Sequence, residues 1–382
     1  MANLSPTLGI YVHIPFCRTK CGYCAFVSQV GNENLQQAYV AALCREITAA
    51  GGDFSAFTVD SVFFGGGTPT VLPVDQLAQI LQTIRANFTL AADAEISIEA
   101  NPGTVSFESL KLLRQQGFNR LSLGVQSFDD AVLKAVGRVH RTDDAKTAFQ
   151  QARQAGFDNI GLDLIYGLPE QTEENWQASL EQAVALNPEH LSAYGLKLED
   201  ETPLAVAVAN GATRLPSEEA EESMYDLLND FLPLHGYQRY EIANYAKTGR
   251  KCRHNLKYWS SLPFRGFGLA AHSFDGRQRF ANTADLGEYI ERSQAGLSVE
   301  AVRESLDEAG VIGEYVFTAL RLTRGMRFDE FHERFGQDFR QLFAEPLGRL
   351  KKLQLLDQTD QVVFLTPRGM KFGNQVFAEF LP

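Results

Sequence analysis

Cysteine is scarce in this chain, with five among 382 residues. So small and odd a set does not build the disulfide framework of a secreted domain, and reduced thiols are expected. Basic residues are also short: 35 Lys and Arg stand against 47 Asp and Glu, for a net charge of −12. That balance argues against general affinity for phosphate backbones and leaves nucleic acid out as a main partner. No apolar run approaches the ~18 residues of a transmembrane helix, and no basic-then-apolar leader opens the sequence. The expectation is a cytoplasmic protein without a transmembrane segment, a peripheral membrane contact staying open. Internal repeats and low-complexity tracts are absent as well.

What is present is an alternation. From residue 10 to about 246, short β-branched or aromatic runs at 10–15, 61–65, 95–100, 120–126, 159–166, 190–198 and 237–245 alternate with amphipathic stretches. Those stretches lie near 33–50, 73–88, 106–116, 129–155, 172–186 and 217–234, several opening on Ser, Thr or Asp caps. Six or seven βαβ units predict a parallel sheet. The turns after the strands are rich in Gly, Pro and polar residues, and loops at the carboxyl ends of parallel strands build sites. Beyond 246 a stretch rich in His, Tyr and Gly turns helical. Residues 328–382 suggest two helices, a hairpin across LLDQTDQVVFLT and a final helix, without the basic face of a DNA-binding module.

Three of the five cysteines, Cys17, Cys21 and Cys24, fall within eight positions of one predicted loop. Thiolates spaced C-x3-C-x2-C can hold three corners of a cubane [4Fe-4S] cluster and leave one iron open to an external molecule. Zinc is the alternative and wants a fourth ligand. His13 has the right chemistry but falls on the preceding strand. A CxxC redox pair accounts for two of the three thiols. Cys44, on the first helix among apolar neighbours, reads as packing.

The cysteine spacing at the end of a first β-strand, followed by GGGTP at 65–69 after the second, resembles the radical S-adenosylmethionine (SAM) superfamily. Further residues narrow the resemblance: Tyr11, HIPFC at 13–17, GGGTPT at 65–70, IEANP at 98–102, GVQSF at 124–128, GRVH at 137–140 and DLIYGLP at 163–169. They are similar to the group that contains oxygen-independent coproporphyrinogen III dehydrogenase and a heme chaperone. This implies an α/β fold: a partial (β/α)6, TIM-like barrel over 1–246, and a smaller C-terminal α+β domain over 247–382, mostly helical with a winged-helix-like end.

The resemblance also implies cofactors and site residues. Cys17, Cys21 and Cys24 would ligate the [4Fe-4S] cluster. Tyr11, Tyr23, Gly66, Gly67, Thr68, Glu99, Gln126, Arg138 and Asp163 would bind SAM. Arg138 suits its carboxylate, Gln126 and Asp163 its ribose, and Glu99 either the ribose or the ammonium. Bare glycine backbone lets the methionine end approach. Electron transfer from the cluster would cleave SAM and release a radical that abstracts hydrogen from a nearby substrate. His140 would shape the SAM loop.

Two departures from the dehydrogenase point to the chaperone. The dehydrogenase has a further cysteine where this chain has Phe26, and it has a long N-terminal extension where ten residues precede Tyr11 here. CRHNLKYW at 252–259 contains H-N-x-x-Y-W, associated with heme binding in the chaperone group. His254 is the expected heme ligand, Tyr258 and Trp259 the aromatic walls, and Cys252 and His272 the alternative ligands. The same motif also fits a polar cluster tying two domains together. The expectation is a heme chaperone that carries heme as cargo, delivers it to a respiratory hemoprotein and needs a reductant. Coproporphyrinogen III dehydrogenase, and a radical SAM enzyme on a non-porphyrin substrate, are the alternatives.

Overall fold

The computed structural model describes residues 6–381. Its centre is six parallel strands in sequential order: β1 (Thr7–Ile14), β2 (Thr58–Gly66), β3 (Leu90–Ala100), β4 (Arg120–Gln126), β5 (Ile160–Tyr166) and β6 (His190–Gly195). The crossovers carry α1 (Glu33–Ala50), α2 (Val74–Asn87), α3 (Phe107–Gln116), α4 (Asp130–Ala135), α5 (Thr142–Gln154) and α6 (Glu173–Ala185). This is the α/β arrangement of parallel strands and crossover helices expected from the sequence. Side chains alternate across each strand. Leu8, Ile10, Val12 and Ile14 of β1, with Val62 and Phe64 of β2 and Ile96 and Ile98 of β3, form the apolar core. The opposite face is polar and still buried, with Ser61, Ser97, Arg120, Ser122 and His190 upon it. Two-sided burial with one polar face explains why strands of a parallel sheet read as alternating rather than uniformly apolar.

Helix entries follow local chemistry. Asn32 caps α1 by accepting from Leu35 N at 3.0 Å, and Ser106 with Ser109 closes a capping box on α3. The stretch expected as one helix over 129–155 is two. The chain leaves α4 through Gly137, at φ +75°, and the intervening loop carries Arg138. The seventh strand expected at 237–245 is also corrected. After α7 (Pro203–Ala209) and α8 (Glu218–Leu234) come two short antiparallel strands, β7 (Gln238–Arg239) and β8 (Asn244–Ala246). Glu241 turns the chain between them, accepting from Ala243 N at 2.8 Å and Asn244 Nδ2 at 2.6 Å.

Past α9 (Arg253–Trp259), the expectation of a mostly helical region is corrected for 264–305. Strands β9 (Phe264–Phe267), β10 (His272–Phe274), β11 (Gln278–Asn282) and β12 (Glu300–Ser305), with α10 (Leu286–Gln294), extend the barrel sheet beyond β1. Glu46 of α1 holds this extension, accepting from Gly268 N, Asn282 Nδ2 and the Tyr289 hydroxyl at 2.6–2.9 Å. These strands are short, and β12 is exposed along its length, so no alternation marked them.

A second apolar core begins at Ile312 on α11 (Glu308–Leu320). β13 (Met326–Arg327), β14 (Leu356–Gln358) and β15 (Val362–Leu365) form a separate antiparallel sheet. Against it pack α12 (Phe328–Phe335), α13 (Phe339–Leu342), α14 (Ala344–Lys352), α15 (Pro367–Lys371) and α16 (Gly373–Ala378). The hairpin lies where LLDQTDQVVFLT placed it. No helix among the described residues is long and apolar enough to cross a membrane.

Candidate functional site

The cysteine loop leaves β1 at Pro15 and is pinned at both ends. Cys17 N donates to Gln29 O at 3.0 Å and Gln29 N to Pro15 O at 2.8 Å. His13 Nε2 bonds Val27 O at 2.8 Å and Nδ1 the Tyr11 hydroxyl at 3.1 Å. With both ring nitrogens engaged, His13 is an anchor for the loop and not a fourth metal ligand. Phe16 sits edge-on to Tyr39 with ring centroids 5.4 Å apart. The far side of the loop is held by Gly22, which donates to Val136 O and accepts from Leu204 N of α7.

The glycine motif closes on the same loop. Gly67 N donates to Ile14 O at 2.9 Å and Thr68 N to Phe16 O at 2.8 Å. A Cβ on Gly67 would stand 2.7 Å from Phe16 O and 3.1 Å from Cys17 Sγ; on Gly66, at φ +112°, it would stand 2.6 Å from the His13 ring. Only bare backbone fits. Thr68 Oγ1 lies 3.6 Å from Cys17 Sγ, and Arg138 Nη1 donates to Cys21 Sγ at 3.5 Å. Two thiols therefore face hydrogen-bond donors suited to thiolates. Among the described residues no three His, Cys, Asp or Glu side chains converge closely enough for a single metal ion. A cubane takes one thiolate per iron and so spreads its ligands.

Of the expected SAM residues, Gly66, Glu99 and Gln126 stand at the carboxyl ends of β2, β3 and β4, Tyr23, Gly67, Thr68 and Arg138 in the loops beyond strands, and Tyr11 and Asp163 inside β1 and β5. Glu99 ends β3, with burial and then the charge of Asp163 pushing its carboxyl up to about 8. Asp163 on β5 accepts from Ser122 Oγ at 3.0 and 3.2 Å, and burial raises it too. Two buried carboxylates near one another favour a cationic ligand with hydroxyl donors, and SAM has an ammonium, a sulfonium and a ribose diol. Gln126 leaves β4 at a register irregularity with φ +69°, a strained conformation of the kind found at binding sites. Tyr23 packs beside Val132, Val136, Ile165 and Leu168. Arg138 is turned toward the protein: it donates to Asn101 Oδ1 at 2.7 Å, to the Gly124 carbonyl and to Cys21. Its Nε is buried without a partner. His140 Nε2 bonds Val125 O at 3.1 Å, burial followed by the Arg138 charge pushes it down to about 4, and it anchors the Arg138 loop to β4.

The H-N-x-x-Y-W motif is not at this mouth. It forms α9, packed against the strands at Ser61 and Glu95, with Arg253 N and His254 N donating to Glu95 at 3.2 and 3.3 Å. His254 is 1% exposed. Its Nδ1 bonds Ser61 Oγ at 3.1 Å and its Nε2 the Tyr258 hydroxyl at 2.8 Å. Burial, then Lys257 and Arg120, push it down to about 3. The ring stacks on Phe63 at 5.4 Å and Tyr11 at 6.4 Å. Lys257 Nζ pairs with Asp60 at 2.8 Å. Trp259 lies under the Arg321 guanidinium at 4.2 Å, which ties the barrel to the second core. In this conformation the expected ligand offers no free nitrogen, and the motif ties the two parts of the chain together. Burial pushes the Cys252 thiol up to about 12, so it is no thiolate at neutral pH. His272, by contrast, is exposed on β10. Cys44 is partly buried against the barrel core. A cavity of about 1070 Å³ lies between α1 and the β9–β12 extension and is lined by none of the expected site residues.

Asn101 and Gly124 were not singled out as site residues, and His13 was weighed only as a metal ligand. Asn101 lies inside the IEANP motif, but its partners are 33 and 37 positions away. Only the fold shows what it joins.

A profile described as the radical SAM superfamily matches residues 11–183, and one for the HemN C-terminal domain matches 306–372. The heme chaperone HemW of Bacillus subtilis is 37% identical over 373 residues, covering 97% of this chain and 98% of its own. The chain belongs to the HemW family. The Escherichia coli HemW is 39% identical over 272 residues, 70% of each chain. The solved structure of E. coli coproporphyrinogen III oxidase (HemN), a radical SAM enzyme, superposes with a TM-score of 0.86 at 28% identity, covering 99% of this chain and 91% of that one. A HemW family member thus shares nearly its whole fold with this radical SAM enzyme.

Proposed function

We propose that this protein is a cytoplasmic heme chaperone that holds a [4Fe-4S] cluster on Cys17, Cys21 and Cys24, binds SAM at the carboxyl end of the barrel, and delivers heme to a respiratory hemoprotein. The observation that carries it is the cysteine loop, closed over Gly67 and supplied with donors by Thr68 and Arg138, in a chain whose full-length relatives are named heme chaperones. Bound together, the cluster and SAM would supply one-electron radical chemistry. The chain's own residues orient and shield. Glu99 and Asp163 offer acceptors to the cationic and hydroxyl groups of SAM, Gly66 and Gly67 admit its methionine end, and Tyr11 and Tyr23 wall the site.

Heme enters this reading through α9. For His254 to reach iron, the helix has to withdraw from Ser61 and Glu95, and the Tyr258 bond has to break. Heme uptake is then coupled to opening of the barrel's closed end. His272, already exposed, is the alternative ligand.

The alternative function, coproporphyrinogen III dehydrogenase, is favoured by the HemN superposition. Phe26, 68% exposed on the cysteine loop where the dehydrogenase resemblance calls for another cysteine, speaks against it. Incubating reconstituted protein with coproporphyrinogen III, SAM and a reductant under argon decides between them. The chaperone reading expects no protoporphyrinogen above background together with stoichiometric heme uptake; efficient decarboxylation overturns it.

A further inference from the structure

We propose that Asn101 is a positioning residue that orders the hydrogen bonds to two of the three cluster thiolates, through a one-way relay from Arg138 to Asn101 to Thr68 to Cys17. The relay rests on the reading of the loop as a cluster site.

Its direction follows from donor chemistry. A guanidinium only donates, so the Asn101 carboxamide atom 2.7 Å from Arg138 Nη2 is the oxygen. That orientation turns the amide nitrogen to Thr68, where it donates to Oγ1 at 2.9 Å. With its oxygen accepting, the Thr68 hydroxyl directs its proton onward to Cys17 Sγ, 3.6 Å away. A thiolate at Cys17 can only accept. Arg138 Nη1 meanwhile donates directly to Cys21 Sγ at 3.5 Å. One cation therefore serves two sulfurs, the nearer by contact and the farther through three hydrogen bonds in series that polarise one another.

The backbone makes room for this arrangement. A Cβ on Gly124 would stand 2.8 Å from Asn101 Oδ1, so β4 is bare where the carboxamide crosses it. Asn101's own backbone is fixed by Thr104, whose Oγ1 accepts from Asn101 N at 3.2 Å and donates to Asn101 O at 2.7 Å. Thr104 Oγ1 also lies 2.7 Å from Thr70 Oγ1 in the glycine loop. Hydrogen bonds to cluster sulfurs stabilise the negative charge gained on reduction and so raise the reduction potential.

The test is a redox titration of the reconstituted, SAM-free protein followed by EPR, alongside iron and sulfide analysis and melting of the cluster-free chain. Asn101→Asp keeps shape and the Arg138 contact but cannot donate to Thr68, whose proton then turns to the new carboxylate. Asn101→Leu removes both bonds. Both variants should load cluster fully, melt as the wild type does, and titrate at a lower potential. Thr68→Val should lower the potential as well, and Asn101→Leu added to it should bring much less further shift than in the wild type. An unmoved potential in Asn101→Asp overturns the relay, as does full additivity in the double variant. Loss of cluster loading from an intact fold also overturns it, because Asn101 would then be a structural support. A wild-type protein that takes up no cluster overturns the cofactor reading and the relay together; a loaded wild type with unmoved variants overturns the relay alone.

Discussion

The Tyr258 hydroxyl lies 2.8 Å from His254 Nε2, and Ser61 Oγ holds the other ring nitrogen at 3.1 Å. His254 is satisfied inside the protein, and iron has to compete with both partners. Ser61→Ala and Tyr258→Phe each remove one net hydrogen bond of ~1 kcal/mol from the closed form, so each should speed heme uptake about fivefold. Stopped-flow absorbance in the Soret region measures this. His254→Ala should lose the ligand-field features of coordinated heme, while His272→Ala keeps them; the reverse outcome would place the iron at β10.

A second expectation concerns pH. Glu99 has its folded pKa raised from 4.5 to about 8 by burial and Asp163. In the ligand-free chain the folded state therefore holds a proton that the unfolded state has lost, between about 4.5 and 8, and this group's contribution to stability declines as pH rises through that window. A cationic ligand favours the ionised carboxylate. SAM affinity, measured by calorimetry, should rise by up to about tenfold per pH unit below pH 8 and level off above it. Glu99→Gln should bind more weakly and lose this slope. A slope unchanged in Glu99→Gln would remove Glu99 from the site.

The glycine loop gives a steric prediction. Gly66→Ala meets the His13 ring at 2.6 Å and a φ of +112°, a left-handed strain of ~1–2 kcal/mol before the clash is counted. Gly67→Ala meets the Phe16 carbonyl. Both should reduce SAM binding at least tenfold, and Gly67→Ala should also lower iron content, since Cys17 Sγ is within 3.1 Å of the new carbon. Normal SAM binding in both would mean that the loop does not carry the methionine end.

Much of this was legible in the chain. Strand β4 lies at 120–126 as read, because its outward residues, Leu121, Leu123 and Val125, are apolar and the intervening Arg120 and Ser122 face a polar interior. The α4–α5 break was hidden because apolar spacing resumes across Gly137, and that break is what presents Arg138. The strands at 264–305 are three to six residues long and lie at the margin of the sheet, too short for a period to show. H-N-x-x-Y-W reads both as a heme ligand and as a polar cluster tying two domains together; its burial depends on Ser61, 193 positions away. Arg138 reads toward a ligand carboxylate, and nothing in the sequence points to Asn101, to which it donates within the chain.

The cysteines separate by role. Cys17→Ala, Cys21→Ala and Cys24→Ala should each abolish the brown colour and the acid-labile sulfide of anaerobically purified protein, because each removes the ligand of one iron. Cys44→Ala, against the barrel core, should keep both and cost only packing, ~1 kcal/mol. Retained sulfide in any of the first three would contradict the ligand set.

The most direct test of the chaperone account is heme transfer. Protein loaded with heme, freed of excess and mixed with an apo-hemoprotein of the respiratory chain should lose its own Soret signature as the acceptor gains its native spectrum, faster than from the His254→Ala variant. Heme that stays bound, or that moves no faster than from an unrelated heme-binding protein, would contradict it.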